Sequence, residues 1–180
     1  MLRLGTGDGG EVQVEVAGDL RIQGSNFLGV PSSISSNTLA TGRGGNVKVH
    51  ANYLQLSDGG VITANSLGIG DAGELRIQAD TLEIVDRDEI TTSAQQSSGG
   101  DLRLTVTDQL YLRQGQMTTS VQRGEANNNG GNITISTPQV VVLNQGAITA
   151  QAYEGHGGNI RMVAENFLKT QIASSALLPD

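Results

Sequence analysis

There is no cysteine in this chain of 180 residues, so it can form neither a disulfide framework nor a thiolate-ligated metal site. Tryptophan is absent too, and aromatic residues make up only 3% of the chain, too few for the aromatic girdles of an outer-membrane barrel. Basic residues are in the minority, 11 Lys and Arg against 18 Asp and Glu, for a formal charge of −7. That balance argues against nucleic acid as a partner, because phosphates demand a basic face, and it disfavours an anionic membrane surface. No apolar run approaches the roughly eighteen residues of a membrane-spanning helix. The start, Met1-Leu2-Arg3-Leu4-Gly5, lacks the apolar stretch of a signal peptide. If the protein is exported, the chain is therefore expected to be an internal piece of something longer.

Glycine, by contrast, is abundant and placed in a pattern. Pairs fall at Gly9-Gly10, Gly44-Gly45, Ala72-Gly73, Gly99-Gly100, Gly130-Gly131 and Gly157-Gly158, so the second member recurs after 35, 28, 27, 31 and 27 residues. A period in this range signals a solenoid or array. Each pair is followed by one polar residue and then an apolar-x-apolar step: Val12/Val14, Val47/Val49, Leu75/Ile77, Leu102/Leu104, Ile133/Ile135 and Ile160/Met162. Alternation with period two bounded by glycine describes a half-buried strand. Glycine inside regular structure costs about 0.5–1 kcal/mol relative to alanine. Its repetition therefore implies a geometric need, either a corner with positive φ or close backbone approach between neighbouring turns.

Two further apolar phrases follow within each period. The second is Leu20/Ile22, Leu54/Leu56, Leu82/Ile84, Leu110/Leu112 (slipped by one residue) and either Val140/Val142 or Val141/Leu143; the third is marked by Ile34, Ile62, Ile90, Met117 and Ile148. The first period is lengthened by Ser25-Asn26-Phe27-Leu28-Gly29-Val30-Pro31. In the sixth, Phe167-Leu168-Lys169 fails to alternate and Ile172 arrives early. Three short strands per period cannot bury their apolar faces alone, but stacked turns share a core. The predicted fold is all-β, a parallel β-helix of about six coils of 27–35 residues with three short strands per coil. It is expected to be right-handed, as crossovers between parallel strands nearly always are. One such domain would span residues 1–180, with 163–180 as an irregular or capping tail. A leucine-rich repeat would need an Asn or Cys after L-x-L and a helical return; neither is present.

Gly130-Gly131-Asn132-Ile133-Thr134-Ile135, followed by a Leu/Val alternation, a glycine-containing turn and Ile148-Thr149-Ala150, resembles the repeat passenger of large exoproteins of the filamentous-haemagglutinin type. The segment Phe167 to Leu177 also resembles a closing segment of such proteins. The resemblance covers essentially the whole chain. It implies export through an outer-membrane partner, that is, two-partner secretion, and a secreted or cell-surface location. It also implies an adhesive or stalk function directed at a host-surface or matrix glycan or protein. The export-directing amino-terminal domain of that family is not recognisable here.

On such a scaffold, function belongs to outward residues and loops. Thr63, Thr91, Thr118 and Thr149 each follow an inward apolar residue and form a ladder. A structural hydroxyl stack on a β-favouring residue accounts for it, while a flat hydroxyl array could bind glycan or ice. The adjoining column, Asn65, Ser93, Ser120 and Gln151, leaves that grid incomplete. A basic column runs through Lys48, Arg76, Arg103 and Arg161, interrupted by Thr134, beside an acidic column at Glu11, Glu74 and Asp101. The two are expected to compensate each other, each exposed pair contributing roughly 0–1 kcal/mol; the arginines could alternatively hold a polyanionic glycan. Loops 65–72, 94–98, 122–129 and 151–156 are the expected contact sites. Open strand edges at either end would favour end-to-end self-association unless the Leu2 and Phe167–Leu178 segments cap them.

Residues suited to catalysis are few. Asp86-Arg87-Asp88-Glu89 gathers carboxylates of the type glycoside hydrolysis uses, which keeps a carbohydrate-active β-helix enzyme as the alternative, but a polar turn explains the same residues without chemistry and is the preferred reading. Gly155-His156-Gly157 stands without the Asp-Asp and Asn-Thr-Asp elements of β-helical pectin hydrolases. No nucleophile context surrounds His50 or His156, and neither a G-G-x-G-x-D calcium repeat nor a phosphate-binding loop is present. The expectation is thus a non-enzymatic chain without cofactor or metal.

Overall fold

In the computed structural model, residues 6–39, 41–123, 128–137, 139–153 and 155–170 are described, and they form thirteen strands with no helix. The first coil holds β1 (Val12–Gln23) and β2 (Ser33–Ser35), the second β3 (Val47–Ser57) and β4 (Val61–Thr63), and the third β5 (Leu75–Val85) and β6 (Glu89–Ala94). The fourth holds β7 (Leu102–Arg113) and β8 (Gln116–Val121). The fifth has β9 (Ile133–Ser136), β10 (Val140–Asn144) and β11 (Ala147–Ala152), and the sixth β12 (Ile160–Val163) and β13 (Asn166–Thr170). One sheet runs β1-β3-β5-β7 and continues through β9 and β10 to β12 and β13; the other runs β2-β4-β6-β8-β11. Every pairing between these strands is parallel. The fold is therefore a parallel β-helix.

The expected first and second strands of coils one to four are in fact one long strand, carrying a bulge in coils one and four and none between coils two and three. Val16 pairs with Ala51 and Asp19 with Tyr53, so two residues of coil one oppose Asn52. Ala79 pairs with Val106 and Thr81 with Gln109, so Thr107 and Asp108 oppose Asp80. The extra residue bends the strand and is the source of the one-residue slip that brings Leu110 and Leu112 inward. In coil five the inward pair is Val141 and Leu143, at 0% and 7% exposure. Residues 166–170, expected to be irregular, form β13, with Phe167 opposite Val141 and Lys169 opposite Leu143. Backbone pairing there proceeds without alternation, because a ladder needs only N–H and C=O groups. The third strand expected near Ile172, and the segments at Leu2 and beyond Thr170, lie outside the described residues.

The core is a set of columns. Val47, Leu75, Leu102 and Ile133 stack in one; Leu54, Leu82, Leu110 and Val141 in another; Ile62, Ile90 and Met117 in a third, all at 0% exposure. Full burial of such a side chain is worth about 1.5–3 kcal/mol.

The two corners of each coil solve different problems. The turn into the third strand begins with left-handed backbone at the same position of each coil, Gly24, Asp58, Asp86, Gln114 and Gln145, with φ of 80°, 56°, 58°, 60° and 57°, and in coils two and three it continues through Gly59 (φ 97°) and Arg87 (φ 72°). The paired glycines, in contrast, rarely need positive φ; Gly131 (φ 77°) is the one pair member among the described glycines with such an angle. Their requirement is close approach. A Cβ on Gly45 would overlap Gly10 O, on Gly73 it would overlap Gly45 O, on Gly100 Gly73 O, on Gly131 Gly100 O, and on Gly158 Gly131 O. Of the two needs expected for the pairs, coil-to-coil contact is the one that governs.

This assignment predicts unequal costs for the same substitution. Gly100→Ala should lower stability by about 1–3 kcal/mol, the range for overpacking. Gly10→Ala meets nothing within 4 Å and should stay within about 0.5 kcal/mol of the parent. Urea midpoints measured at constant m-value test it; equal losses would remove the close-approach explanation.

Candidate functional site

The outward face of the first strand segment carries the most structured surface. Register places Lys48 beside Arg76 and Arg76 beside Arg103, then Thr134 and Arg161, as the sequence implies. Two residues along the same strands, Glu15, His50, Gln78 and Thr105 form a parallel column. Between the two columns lies a furrow of about 340 Å³ that crosses four coils, floored by Val14, Val49 and Ile77. Glu15 and Gln78 have no role in the sequence reading, and His50 enters it only as a histidine without a nucleophile context; their spacing of two from the basic column is the signal that reveals them as a column.

The basic wall is not electrostatically free. Lys48 Nζ sits 2.5 Å from Glu11 Oε1, Arg76 Nε 3.0 Å from Glu74 Oε1, and Arg103 contacts both Glu74 (2.6 Å) and Asp101 (3.1 Å). The acidic column therefore does compensate the basic one. It is also part of a longer ladder that includes Asn46, Asn132 and Asn159. Asn46 Oδ1 accepts from Glu74 N at 3.0 Å, Asp101 Oδ1 from Asn132 N at 3.0 Å, and Asn132 Oδ1 from Asn159 N at 3.1 Å. Each side chain thus satisfies a backbone donor of the next coil at the corner after the glycine pair. A second furrow, about 570 Å³, follows the glycine pairs themselves and shares Arg103 with the first.

The threonine ladder is in register, Thr63 beside Thr91, Thr91 beside Thr118 and Thr118 beside Thr149, but it is not the open hydroxyl array considered above. Thr63 and Thr91 are only 7% exposed, flanked by half-buried Val61 and Glu89 on one side and by Asn65 and buried Ser93 on the other. Thr118 and Thr149 are half-buried, with Oγ1 atoms 3.1 Å apart. In the next column, Asn37 Oδ1 accepts from Asn65 N at 2.9 Å and Asn65 Oδ1 from Ser93 N at 2.7 Å. These polar groups are occupied in joining coils.

The alternation rule also missed an inward polar column. Ser36 Oγ donates to Gly10 O at 2.5 Å, Thr92 Oγ1 to Gly100 O at 2.6 Å and Thr119 Oγ1 to Gly131 O at 3.1 Å. These hydroxyls lie two residues beyond Ile34, Ile90 and Met117, on the inward side of the third strand. They supply a donor to the glycine corner.

The expected contact loops are also largely laddered. Leu67 N donates to Thr38 O at 2.8 Å, Gly42 N to Ile69 O at 2.9 Å and Gln95 N to Ser66 O at 2.8 Å. Leu39, Leu67 and Ile69 remain exposed at this edge. Residues 124–127 and 154 of the other two loops lie outside the described residues. On the face of the second strand segment, Tyr53 donates its hydroxyl to Glu83 at 2.6 Å and lies under the Arg21 guanidinium, 5.8 Å from the ring centre. Burial first, then the hydrogen bond and charge of Glu83, push the Tyr53 hydroxyl up to about 12, so it stays a neutral donor.

The carboxylates considered for catalysis are not arranged to share a substrate. Asp86 is engaged by Arg113, at 2.9 Å to Oδ1 and 3.1 Å to Oδ2. Asp88 is 0% exposed; its Oδ1 accepts from Gly59 N at 2.6 Å, while the buried Oδ2 has no partner. Among the described residues, no group of three or more His, Asp or Glu could hold a metal ion. Comparison with known protein families, curated proteins and solved structures finds no match to the chain.

Asp88 generates a pH prediction. Its carboxyl is raised above the ordinary value chiefly by burial, and further by the charges of Asp86 and Asp58, against the lowering effect of the Gly59 and Gly60 N–H groups. The folded state therefore holds this proton at pH values where the unfolded chain, with a carboxyl near 3.9, has lost it. Stability from this group is present below about pH 4 and is lost as pH rises through the raised folded value. Asp88→Asn keeps the acceptor for Gly59 and carries no charge. The variant should gain midpoint relative to the parent as pH rises from about 4 to 7; parallel pH profiles would show that Asp88 does not titrate differently on folding.

Proposed function

We propose that this chain is a structural and adhesive segment of a secreted or cell-surface exoprotein of the filamentous-haemagglutinin type. The observation that carries this reading is the parallel stacking of the coils, which stay in register on both sides of the bulges in β1 and β7. Backbone ladders join coil to coil throughout, and asparagine and hydroxyl side chains add bonds between several of them, as suits a rod that holds a fixed outer surface. Contact with a host-surface or matrix glycan or protein is assigned to the furrow between the Lys48-Arg76-Arg103 and Glu15-His50-Gln78-Thr105 columns. There, side chains of both signs and neutral donors line one groove across four coils over an apolar floor of Val14, Val49 and Ile77. Export of the parent protein through an outer-membrane partner belongs to the same reading, which rests on the resemblance of the Gly-Gly-Asn-Ile-Thr-Ile phrase.

The alternative, a polysaccharide hydrolase or lyase on the same scaffold, would need carboxylates that reach a bound sugar. Asp88 is enclosed and Asp86 is held by Arg113, which favours the adhesive reading over an enzyme built on that turn. A hydroxyl-ladder binder of glycan or ice is disfavoured by the cover over Thr63 and Thr91.

Incubation with a panel of neutral and acidic polysaccharides distinguishes these readings when retained protein and newly released sugar ends are recorded in the same tubes. Retention without cleavage is expected, with Arg76→Ala and Arg103→Ala together weakening it about tenfold or more, a loss of at least 1.4 kcal/mol. Cleavage abolished by replacing Asp86 and Asp88 would establish the enzyme instead, and neither retention nor cleavage would leave a stalk without a glycan site.

A further inference from the structure

Coil one departs from its neighbours at the left-handed corner. Where coil two turns through Asp58-Gly59-Gly60, coil one runs out through residues 24–32 before β2 begins. The excursion is a closed finger. Ser25 and Pro31 form an antiparallel bridge; Ser32 N donates to Gly24 O, Asn26 N to Val30 O and Gly29 N to Asn26 O, each at 2.9 Å. The Asn26 carboxamide oxygen accepts from Leu28 N at 2.9 Å and from Val30 N at 3.0 Å. These bonds fix the tip and leave Phe27 95% and Leu28 72% exposed, with Val30 at 56% behind them. A single exposed leucine needs no explanation, but two large apolar side chains raised on a hydrogen-bonded projection do.

The surroundings indicate what covers them. From Gln23 to Gly42 there is no charged residue, although charged residues make up 16% of the chain. The bonds within the finger occupy backbone donors and acceptors that would otherwise be costly to take out of water. A convex tip of Phe and Leu enters a deformable acyl interface without needing a complementary pocket, and these residue types serve as interfacial anchors. At the same corner of the next coils stand Asp58, Arg87 and an Asp86 paired with Arg113, so no local excess of positive charge draws anionic headgroups, and the net charge of −7 opposes their approach.

We infer that the Phe27-Leu28 finger is an insertion tip for the interfacial region of a lipid bilayer without net charge. Attachment through two side chains is reversible, and it is independent of the furrow on the first-strand face.

Flotation of the whole chain with phosphatidylcholine vesicles, and with vesicles in which part of that lipid is replaced by phosphatidylserine, tests the inference. The parent chain should float with the neutral vesicles, less with the anionic ones, and added salt should not release it from the former. Phe27→Ser with Leu28→Ser should reduce partitioning on the order of 100-fold, from the apolar area withdrawn, without shifting the unfolding midpoint. Because the chain contains no tryptophan, Phe27→Trp supplies a single indole whose emission should move to the blue on adding neutral vesicles. Absence of flotation, equal flotation of the serine variant, or an unmoved indole spectrum would overturn the inference. So would lipid-free self-association that depends on Phe27 and Leu28, which would make a second copy the occupant.

Discussion

Everything in this fold depends on backbone meeting backbone at the glycine corner. Adjacent coils pair at the spacing of a parallel sheet, about 4.8 Å, and at this corner the carbonyl of one coil lies where the next coil's side chain would begin. Gly45, Gly73, Gly100, Gly131 and Gly158 each face the corresponding carbonyl of the coil before them. Removing the Cβ lets the chain turn tightly enough to return to the first sheet. Ser36, Thr92 and Thr119 then donate to carbonyls in that corner from the inside, because a buried acceptor without a donor is costly. The glycines and the inward hydroxyls are thus two halves of one solution.

The same stacking shapes the outer surface. Parallel strands bring equivalent residues side by side, so any polar residue repeated at one position meets its own kind. Asparagine suits this arrangement, since its carbonyl oxygen can accept from the next coil's backbone while its amide donates elsewhere; Asn132 does both, donating to Asp101 and accepting from Asn159 N. Repeated charge is tolerated where a second column of opposite sign lies within reach, as Glu74 does between Arg76 and Arg103. Much of the exposed polarity is therefore committed to holding coils together, and a residue's presence at the surface is weak grounds for assigning it to binding.

Much of this architecture was legible because period-two alternation and a fixed glycine spacing report directly on burial and turning. Leu75, Ile77, Leu82, Ile84 and Ile90 are inward as read, and the basic column has the expected register. What escaped has physical reasons. Alternation assigns inward positions to apolar residues, so Thr92 and Thr119, inward but hydrogen-bonded, were invisible. An outward direction does not guarantee exposure, because flanking columns cover Thr63 and Thr91. The left-handed corner opens on Asp58, Asp86, Gln114 and Gln145 rather than on glycine in coils two to five, so the Asp58-Gly59-Gly60 turn is legible while the shared conformation at the first position is not. A strand forms at Asn166–Thr170 without alternation because its backbone had β10 to pair with.

Departures from the repeat then carry more information than the repeat itself. A position filled identically in every coil is explained by stacking, which acts on every coil alike. Asp88 occupies a corner where neighbouring coils place Gly60, Gly115 and Gly146, whose hypothetical side chains would meet Ile22, Ile84 and Leu112, and there the aspartate is enclosed with one oxygen unpartnered. Stacking gives no reason for a carboxyl at that site, and its bond to Gly59 is a use that the glycines elsewhere show to be dispensable. The finger at residues 24–32 is the larger departure of the same sort, since later coils close the corner without it. Its internal hydrogen bonds give it order that the rod does not require, and its apolar tip has no counterpart in the following turn. A solenoid built by repetition can add a recognition element with little disturbance at a corner, where an insertion leaves both sheets in register. The pairing of Ile22 with Leu56 before the finger and of Ile34 with Ile62 after it is that condition met.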